Sequence, residues 1–203
     1  GELDEIPVQS LDEIVDRLLA ILDGSNATLV KRRALEALGY SGRQEVPPHI
    51  KRAYHSNNDD WLASSLFAMG RSANSDWSGH VLDQLTHDSS EVRLEAVRAV
   101  GELETRAAIG ELVNLLDDDD DQVRMAAVWS LSQLGGEGIA DVLVDLLVLT
   151  EDEAQAEFIE QALDNLAFTN DMAQFSFLEL EDEFDGGDNE INLYQDDDID
   201  EDA

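Results

Sequence analysis

Five consecutive aspartates at positions 117–121 are the densest group of potential metal ligands in the chain. A calcium loop places oxygen ligands at alternate positions, with glycine at the sixth position and a bidentate glutamate at the twelfth. Counted from Asp117, the sixth residue is Gln122 and the twelfth is Val128. The spacing therefore favours an acidic turn before a helix over a calcium site.

Four histidines offer a second type of metal ligand, and His49 and His80 lie 31 residues apart, with Glu111 at the next step. Helices in neighbouring repeats stand about 8–10 Å apart. That spacing is too wide for two imidazoles to share one metal through bonds of about 2 Å. We expect no metal site but a polar, partner-facing surface with His80 and Glu111. The acids expected on the same surface are Asp83, Asp141 and Asp145.

Aromatic side chains outside the apolar pattern suggest a contact surface. Phe67, Arg98 and Trp129 share one position of the 31-residue spacing, and Met125 lies one helical turn before Trp129. Exposed aromatic side chains and Met are common interface anchors. Phe67, Met125 and Trp129 are therefore candidate partner-binding residues, with packing between adjacent helices as the alternative.

The charge of the chain limits its partners. The 203 residues include 47 Asp and Glu against 12 Lys and Arg, for a net charge of -35. Such acidity opposes binding to nucleic acid or an anionic membrane. Residues 125–203 contain 23 acids and no base. A basic partner and a salt-rich environment are both compatible with this distribution.

Three absences also limit the function. Without cysteine there is no disulfide, thiolate metal site or cysteine nucleophile, which fits a reducing cytoplasm. No apolar run approaches the roughly 18–20 residues of a spanning helix, and the amino end lacks the pattern of a signal peptide. Nothing resembles a nucleophile elbow, a phosphate-binding loop or a paired general acid and base, so we expect no catalytic or cofactor-binding residues.

A 31-residue repeat sets the position of these residues. Segment 89–116 aligns with segment 120–147 without a gap, and earlier segments continue the same columns. Within each unit the apolar residues follow helical spacing twice, which predicts two antiparallel helices. Because neither helix can bury its apolar face alone, the pairs must stack. The sequence therefore predicts an all-α, right-handed α-solenoid.

The repeat also predicts the domain organisation. Residues 1–24 form an amino-terminal capping helix with a Ser10-x-x-Glu13 capping box, and residues 25–168 form about four full units plus a degenerate one. Residues 169–203 form an acidic tail with interleaved aromatics that either caps the solenoid or docks on a basic groove.

Two further sets of residues recur at the 31-residue spacing and predict where helices begin and end. One contains residues suited to cap a helix amino terminus: Asn26, Asn57, Asp88, Asp119 and Thr150, the last with a capping box to Glu153. The other contains Gly39, Gly70 and Gly101, which we expect to end the first helices in a left-handed conformation.

The pattern of Asp, Val-Arg, Ala and Leu in each unit resembles HEAT repeats of the short phycobilisome-lyase type, over roughly residues 10–168. The resemblance implies a scaffold for other macromolecules, or else a bilin lyase. Related hydroxylases bind iron through His-Glu pairs, but the four histidines here precede Ile50, Ser56, Val81 and Asp88. We therefore expect a non-enzymatic scaffold that binds a basic protein or peptide, with bilin handling as the alternative.

Overall fold

The structure, a computed structural model, describes residues 8–185 and the side chains of residues 10–172. Within this range the chain forms ten α-helices, with three one-turn 3-10 helices and no β-strand. The helices are α1 (Val8–Asp23), α2 (Thr28–Leu38), α3 (Val46–Tyr54), α4 (Asp59–Arg71), α5 (Ser78–Leu82), α6 (Ser90–Glu102), α7 (Ile109–Asn114), α8 (Asp121–Leu134), α9 (Ile139–Leu149) and α10 (Glu153–Asp185).

The even-numbered helices, here called the first helices, pack side by side in chain order. Each odd-numbered helix packs against the first helix that follows it. Every first helix from α4 to α8 is therefore covered by two first helices and by one short helix. This arrangement is the predicted α-solenoid.

The core repeats with the predicted period. Almost fully buried residues recur every 31 positions on the first helices (Leu35, Leu66, Val97, Val128, Ile159) and on the second helices (Ile50, Val81, Leu112, Leu143). Val30 is an exception to its column, because it is 47% exposed while Val92 and Val123 are buried. No described first helix precedes α2 to cover Val30.

The glycine column has a different role from the one predicted. Gly39 has a right-handed φ of -53°, and Gly70 and Gly101 lie inside α4 and α6. A Cβ at Gly39 would lie 2.8 Å from the Cα of Ala68. Three joints repeat this close approach: Gly39 with Ala68, Gly70 with Ala99, and Gly101 with Ser130. At Gly39 the distance to the backbone of α4 therefore requires glycine. The expectation of left-handed helix ends was wrong.

Three of the residues with a positive φ recur every 31 positions, just after α4, α6 and α8. Ala73, Glu104 and Gly135 have φ values of 50°, 50° and 62° and are spaced by 31. Two of the three are not glycine, so residue type did not reveal this column. The turn after the helix imposes the conformation, although it is unfavourable for a residue with a Cβ.

The predicted column of amino-terminal caps is shifted by one residue. The Asn58 side chain accepts from the Trp61 N–H, and the Asp120 side chain accepts from the N–H groups of Gln122 and Val123. Asn57 instead has a φ of 53°. The actual column is Ala27, Asn58, Ser89 and Asp120, and only Asn58 and Asp120 cap with a side chain.

Both predicted capping boxes are also wrong. Ser10 lies inside α1, which begins at Val8. The Thr150 hydroxyl donates to the Leu146 carbonyl at the end of α9, and Asp152 accepts from the Gln155 N–H at the start of α10. α1 therefore begins two residues before Ser10, and α10 begins three residues after Thr150.

The carboxyl-terminal helix crosses the predicted start of the acidic tail. α10 continues from Glu153 through residue 168 to Asp185. The rest of the predicted tail, residues 186–203, lies outside the described residues. None of the described helices is long and apolar enough to cross a membrane.

Candidate functional site

A groove of about 730 Å³ runs across the first helices α4, α6, α8 and α10. Met125 and Trp129 of α8 lie in it with Phe158 of α10. The Trp129 and Phe158 rings are 6.0 Å apart between centroids and tilted by 45°. Trp129 is 38% exposed, whereas most apolar side chains of α8 are buried. We call this feature the Trp129 groove.

Two ion pairs neutralise the arginines that line the Trp129 groove. Arg71 contacts Glu102 at 2.8 Å, and Arg98 contacts Glu95 at 2.7 Å. Burial raises the pKa of Glu102, and Arg71 opposes this shift. Because each guanidinium has its own carboxylate, the groove combines apolar and polar side chains with little net positive charge.

A smaller pocket of about 270 Å³ lies beside the groove and is here called the Phe67 pocket. Phe67 of α4 is half-buried, and the Arg71 guanidinium lies 5.2 Å from its ring centroid. Arg98 lines both this pocket and the Trp129 groove. The structure therefore places Phe67, Arg98 and Trp129 along one surface, which we call the first-helix surface.

Polar side chains that line the Phe67 pocket include three joined by hydrogen bonds and one with an unsatisfied oxygen. Arg32 donates to the Ser64 hydroxyl at 2.9 Å, and Ser64 donates to Glu36 at 2.8 Å. Arg32 also contacts Asp60 at 2.8 Å. Glu95 Oε2 is buried and has no hydrogen-bond partner. Burial raises the pKa of Glu95, and Arg98 opposes the shift.

The predicted candidates on the second helices lie apart from the first-helix surface. His80 is half-buried, and its ring packs edge-on against Tyr54 at 5.1 Å and Trp77 at 5.3 Å. His80 is therefore only partly exposed, and its place on a partner-facing surface stays a prediction. Asp83, Asp141 and Asp145 are exposed, while Glu111 is half-buried and accepts from Asn114 at 3.3 Å.

The aspartate run is divided among separate structural roles. Asp118 pairs with Arg93 at 2.7 Å and accepts from the Asp120 N–H, whereas Asp120 caps α8. Asp121 pairs with Arg124. Asp117 and Asp119 are exposed. Hydrogen bonds from Arg93 lower the pKa of Asp118, and the Gln122 N–H lowers that of Asp120. Among the described residues, no group of three or more His, Asp or Glu side chains is arranged to hold a metal ion.

Phe158 and Glu95 are functional candidates that the sequence pattern did not single out. Phe158 follows Trp129 by 29 residues, and 29 is also the offset of the three close glycine contacts. The repeat aligns residues by 31, but adjacent first helices make these contacts at 29. A search at that offset from Trp129 would have found Phe158.

Comparison with known proteins agrees with the fold. Residues 80–164 match the family model described as HEAT repeats. This part of the chain is similar to HEAT repeats. The matched segment contains α6, α8 and the part of α10 that lines the Trp129 groove. Solenoids of this type present extended concave surfaces that these proteins use for binding.

A crystal structure described as an engineered protein, from the Northeast Structural Genomics Consortium, is similar to most of this α-solenoid. Its TM-score is 0.51 at 18% identity, over 80% of this chain and 82% of that chain. At this identity the likeness shows the fold alone. A search of curated proteins found no match to the sequence. None of these findings tests the phycobilisome-lyase type or the bilin-handling alternative, which stay predictions.

Proposed function

We propose that this protein is a non-enzymatic scaffold that binds a basic, amphipathic segment of a partner protein on its first-helix surface. An apolar side chain of the partner fills the Trp129 groove, and basic side chains face the surrounding acids. The observation that supports this function is the grouping of Met125, Trp129 and Phe158 in one open groove. Aromatic anchors in partly desolvated pockets contribute most of the binding free energy at many interfaces.

The charge around the groove supports a basic partner. Glu157 and Glu160 flank Phe158 on α10 and are exposed, and Asp121 is exposed at the start of α8. The chain has a net charge of -35. A field of this sign accelerates association with cationic segments and repels acidic ones. The apolar anchor slows dissociation of the partner, and the acidic side chains favour a basic segment over an acidic one.

A pair of designed peptides tests the proposal by calorimetric titration of the full chain. One peptide is an amphipathic helix of Leu and Lys, and the other carries Glu in place of every Lys. We expect saturable binding of the basic peptide only, weakened as ionic strength rises because exposed charges are screened. Trp129→Ala should weaken binding by about tenfold or more, the range of an interface hot spot.

The matched control is Phe168→Ala, which removes an exposed aromatic of α10 that does not line the groove. This variant should bind the basic peptide like the unmodified protein. Equal binding of both peptides would contradict the charge selectivity. Equal affinity of Trp129→Ala and Phe168→Ala would show that the groove does not hold the anchor.

A further inference from the structure

A separate cavity of about 410 Å³ lies among α1, α2, α3 and α4. Its apolar lining includes Leu22, Leu35 and Ala53, which are buried, and the half-buried Trp61. It shares no lining residue with the Trp129 groove or the Phe67 pocket. Its volume lies within the range of small-molecule sites, which combine an apolar lining with a few polar groups.

The rim of this cavity includes a fixed hydrogen-bond donor. An Arg52 Nη atom lies 2.7 Å from His49 Nδ1, and Arg52 also lies 3.7 Å from Asp23. Because a guanidinium only donates, His49 Nδ1 must accept, which leaves the proton on Nε2. Burial, followed by the charge of Arg52, lowers the pKa of His49 and favours the neutral ring. His49 is therefore a neutral donor beside a cation.

Lys31 completes the polar rim. Among the described side chains, no carboxylate lies within 4.0 Å of its ammonium group, whereas the adjacent Arg32 and Arg33 are both paired. One carboxylate, Asp23, accompanies the two cations Lys31 and Arg52. The cavity thus has an excess of positive charge.

The local charge differs from that of the whole chain. Residues 10–56 contain seven bases and six acids, although the chain as a whole has a charge of -35. At physiological ionic strength, exposed charges are largely screened beyond about 8 Å. The remote acids therefore lower the affinity for an anion less than the adjacent Lys31 and Arg52 raise it.

We propose that this cavity binds a small organic anion. Its carboxylate or phosphate group contacts Lys31, His49 and Arg52, and its apolar body packs on Leu35 and Trp61. The two cations and the neutral donor match the oxygens of an anion, and the apolar lining matches an aromatic or aliphatic body. This binding site is independent of the proposed partner surface.

Titration of the full chain with benzoate, phenylphosphate, phenol and inorganic phosphate tests the proposal, with the Trp61 indole N–H followed by NMR. We expect benzoate or phenylphosphate to bind saturably with a Kd of about 1 mM or lower and to shift the Trp61 signal. Phenol should not bind, and inorganic phosphate should bind more weakly than phenylphosphate because it lacks an apolar body. The tighter of the two anions identifies the group that the site prefers.

Two variants and one control separate this site from general attraction to cations. Lys31→Gln and Arg52→Gln should each weaken binding by about tenfold, the value of a lost charged hydrogen bond. Lys51→Gln removes the same charge beside Arg52, but Lys51 faces the Trp77 ring at 5.6 Å and does not line the cavity. Its affinity should be unchanged, and thermal unfolding checks that all three variants fold.

Three results would overturn the proposal: no saturable binding of either organic anion, binding of phenol as tight as that of benzoate, or equal weakening by Lys51→Gln and Lys31→Gln.

Discussion

At the scale of single residues, neighbours within the aspartate run contribute differently to the fold. Asp118 is almost buried and bonded to Arg93, Asp120 caps α8, and Asp119 between them is exposed. The Arg93 side chain also donates to the carbonyls of His87 and Asp88. The run is therefore a structural turn in which only some of the carboxylates have a partner.

Substitution of adjacent aspartates tests the position of the cap. Asp120→Ala should lower Tm by several degrees, because the Gln122 and Val123 N–H groups lose their acceptor. Asp119→Ala should leave Tm within about 1 °C, as expected of an exposed residue away from such features. Thermal unfolding by circular dichroism measures both. If Asp119→Ala were the more damaging change, the cap would be at the position that the sequence alone predicted.

The unsatisfied Glu95 predicts a dependence of stability on pH. Burial raises the folded-state pKa of Glu95 above its usual value of 4.5, so the folded protein binds this proton more tightly than the unfolded chain. Glu95 therefore reduces stability as pH rises above about 4.5 through its folded-state pKa. Glu95→Gln should raise the free energy of unfolding more at pH 7 than at pH 4.5, by on the order of 1 kcal/mol.

Urea unfolding at the two pH values measures this effect, and Glu157→Gln is the matched control. Glu157 is exposed on α10, so its substitution removes one negative charge without removing a buried carboxylate. An equal pH dependence in the two variants would assign the effect to net charge rather than to the burial of Glu95.

For single residues, the sequence predicted which positions of the repeat are equivalent better than it predicted what each residue does. The period identified Phe67, Arg98 and Trp129 as one column, and the structure places them on one surface. It did not fix which residue of each turn caps the helix, since Asp119 and Asp120 have the same chemistry. That choice depends on backbone angles at the turn, where Asp120 is extended and can direct its carboxylate at the first N–H groups.

At the scale of helices, close packing of the first helices explains the glycine column. A side chain at Gly39 would meet the backbone of Ala68, which cannot move without shifting α4. The short second helices place no such restriction on Gly79 or Gly110, around which a Cβ would meet nothing within 4 Å. The same residue type is therefore essential in one layer and replaceable in the other.

Alanine substitutions in the two layers should have opposite effects. Gly39→Ala should destabilise the protein by about 1–3 kcal/mol, the usual range for overpacking. Gly110→Ala in α7 should stabilise it by about 0.5–1 kcal/mol, because alanine is the better helix former and has open space there. Urea unfolding at neutral pH gives both values. A gain in Gly39→Ala would mean that α2 and α4 can separate at little cost.

The helices were predictable from apolar spacing, but the contacts between them were not. The spacing of 31 aligns equivalent positions, whereas the close contacts join residues 29 apart. This difference reflects how one helix is displaced along its neighbour, and it is set by packing in three dimensions. For the same reason Phe158, at that offset from Trp129, emerged only from the structure.

At the scale of the whole molecule, repulsion among the acidic side chains opposes the stabilisation that comes from the buried core. The net charge of -35 repels itself more strongly in the folded state than in the expanded chain. Ion pairs such as Arg93 with Asp118 oppose this repulsion locally. Because the acids outnumber the bases almost fourfold, repulsion should exceed attraction.

Added salt should therefore stabilise the fold. Raising the ionic strength from about 0.05 to 0.5 M shortens the range of repulsion, and a gain of about 1 kcal/mol would raise Tm by about 2–4 °C. Sodium, potassium and tetramethylammonium chlorides should act alike if screening is the cause. A fall in Tm would show that ion pairs dominate, and an effect of one cation alone would indicate specific binding.

The contact between neighbouring first helices also limits how the chain can change in length during evolution. Every glycine joint uses the same offset, so a copied unit inserted at a turn would meet neighbours that already fit it. An insertion of one residue within a helix would instead rotate all later side chains of that helix by about 100° and displace the glycine from its partner. Growth or loss of this chain during evolution should thus proceed in whole units, each of which leaves the older joints intact.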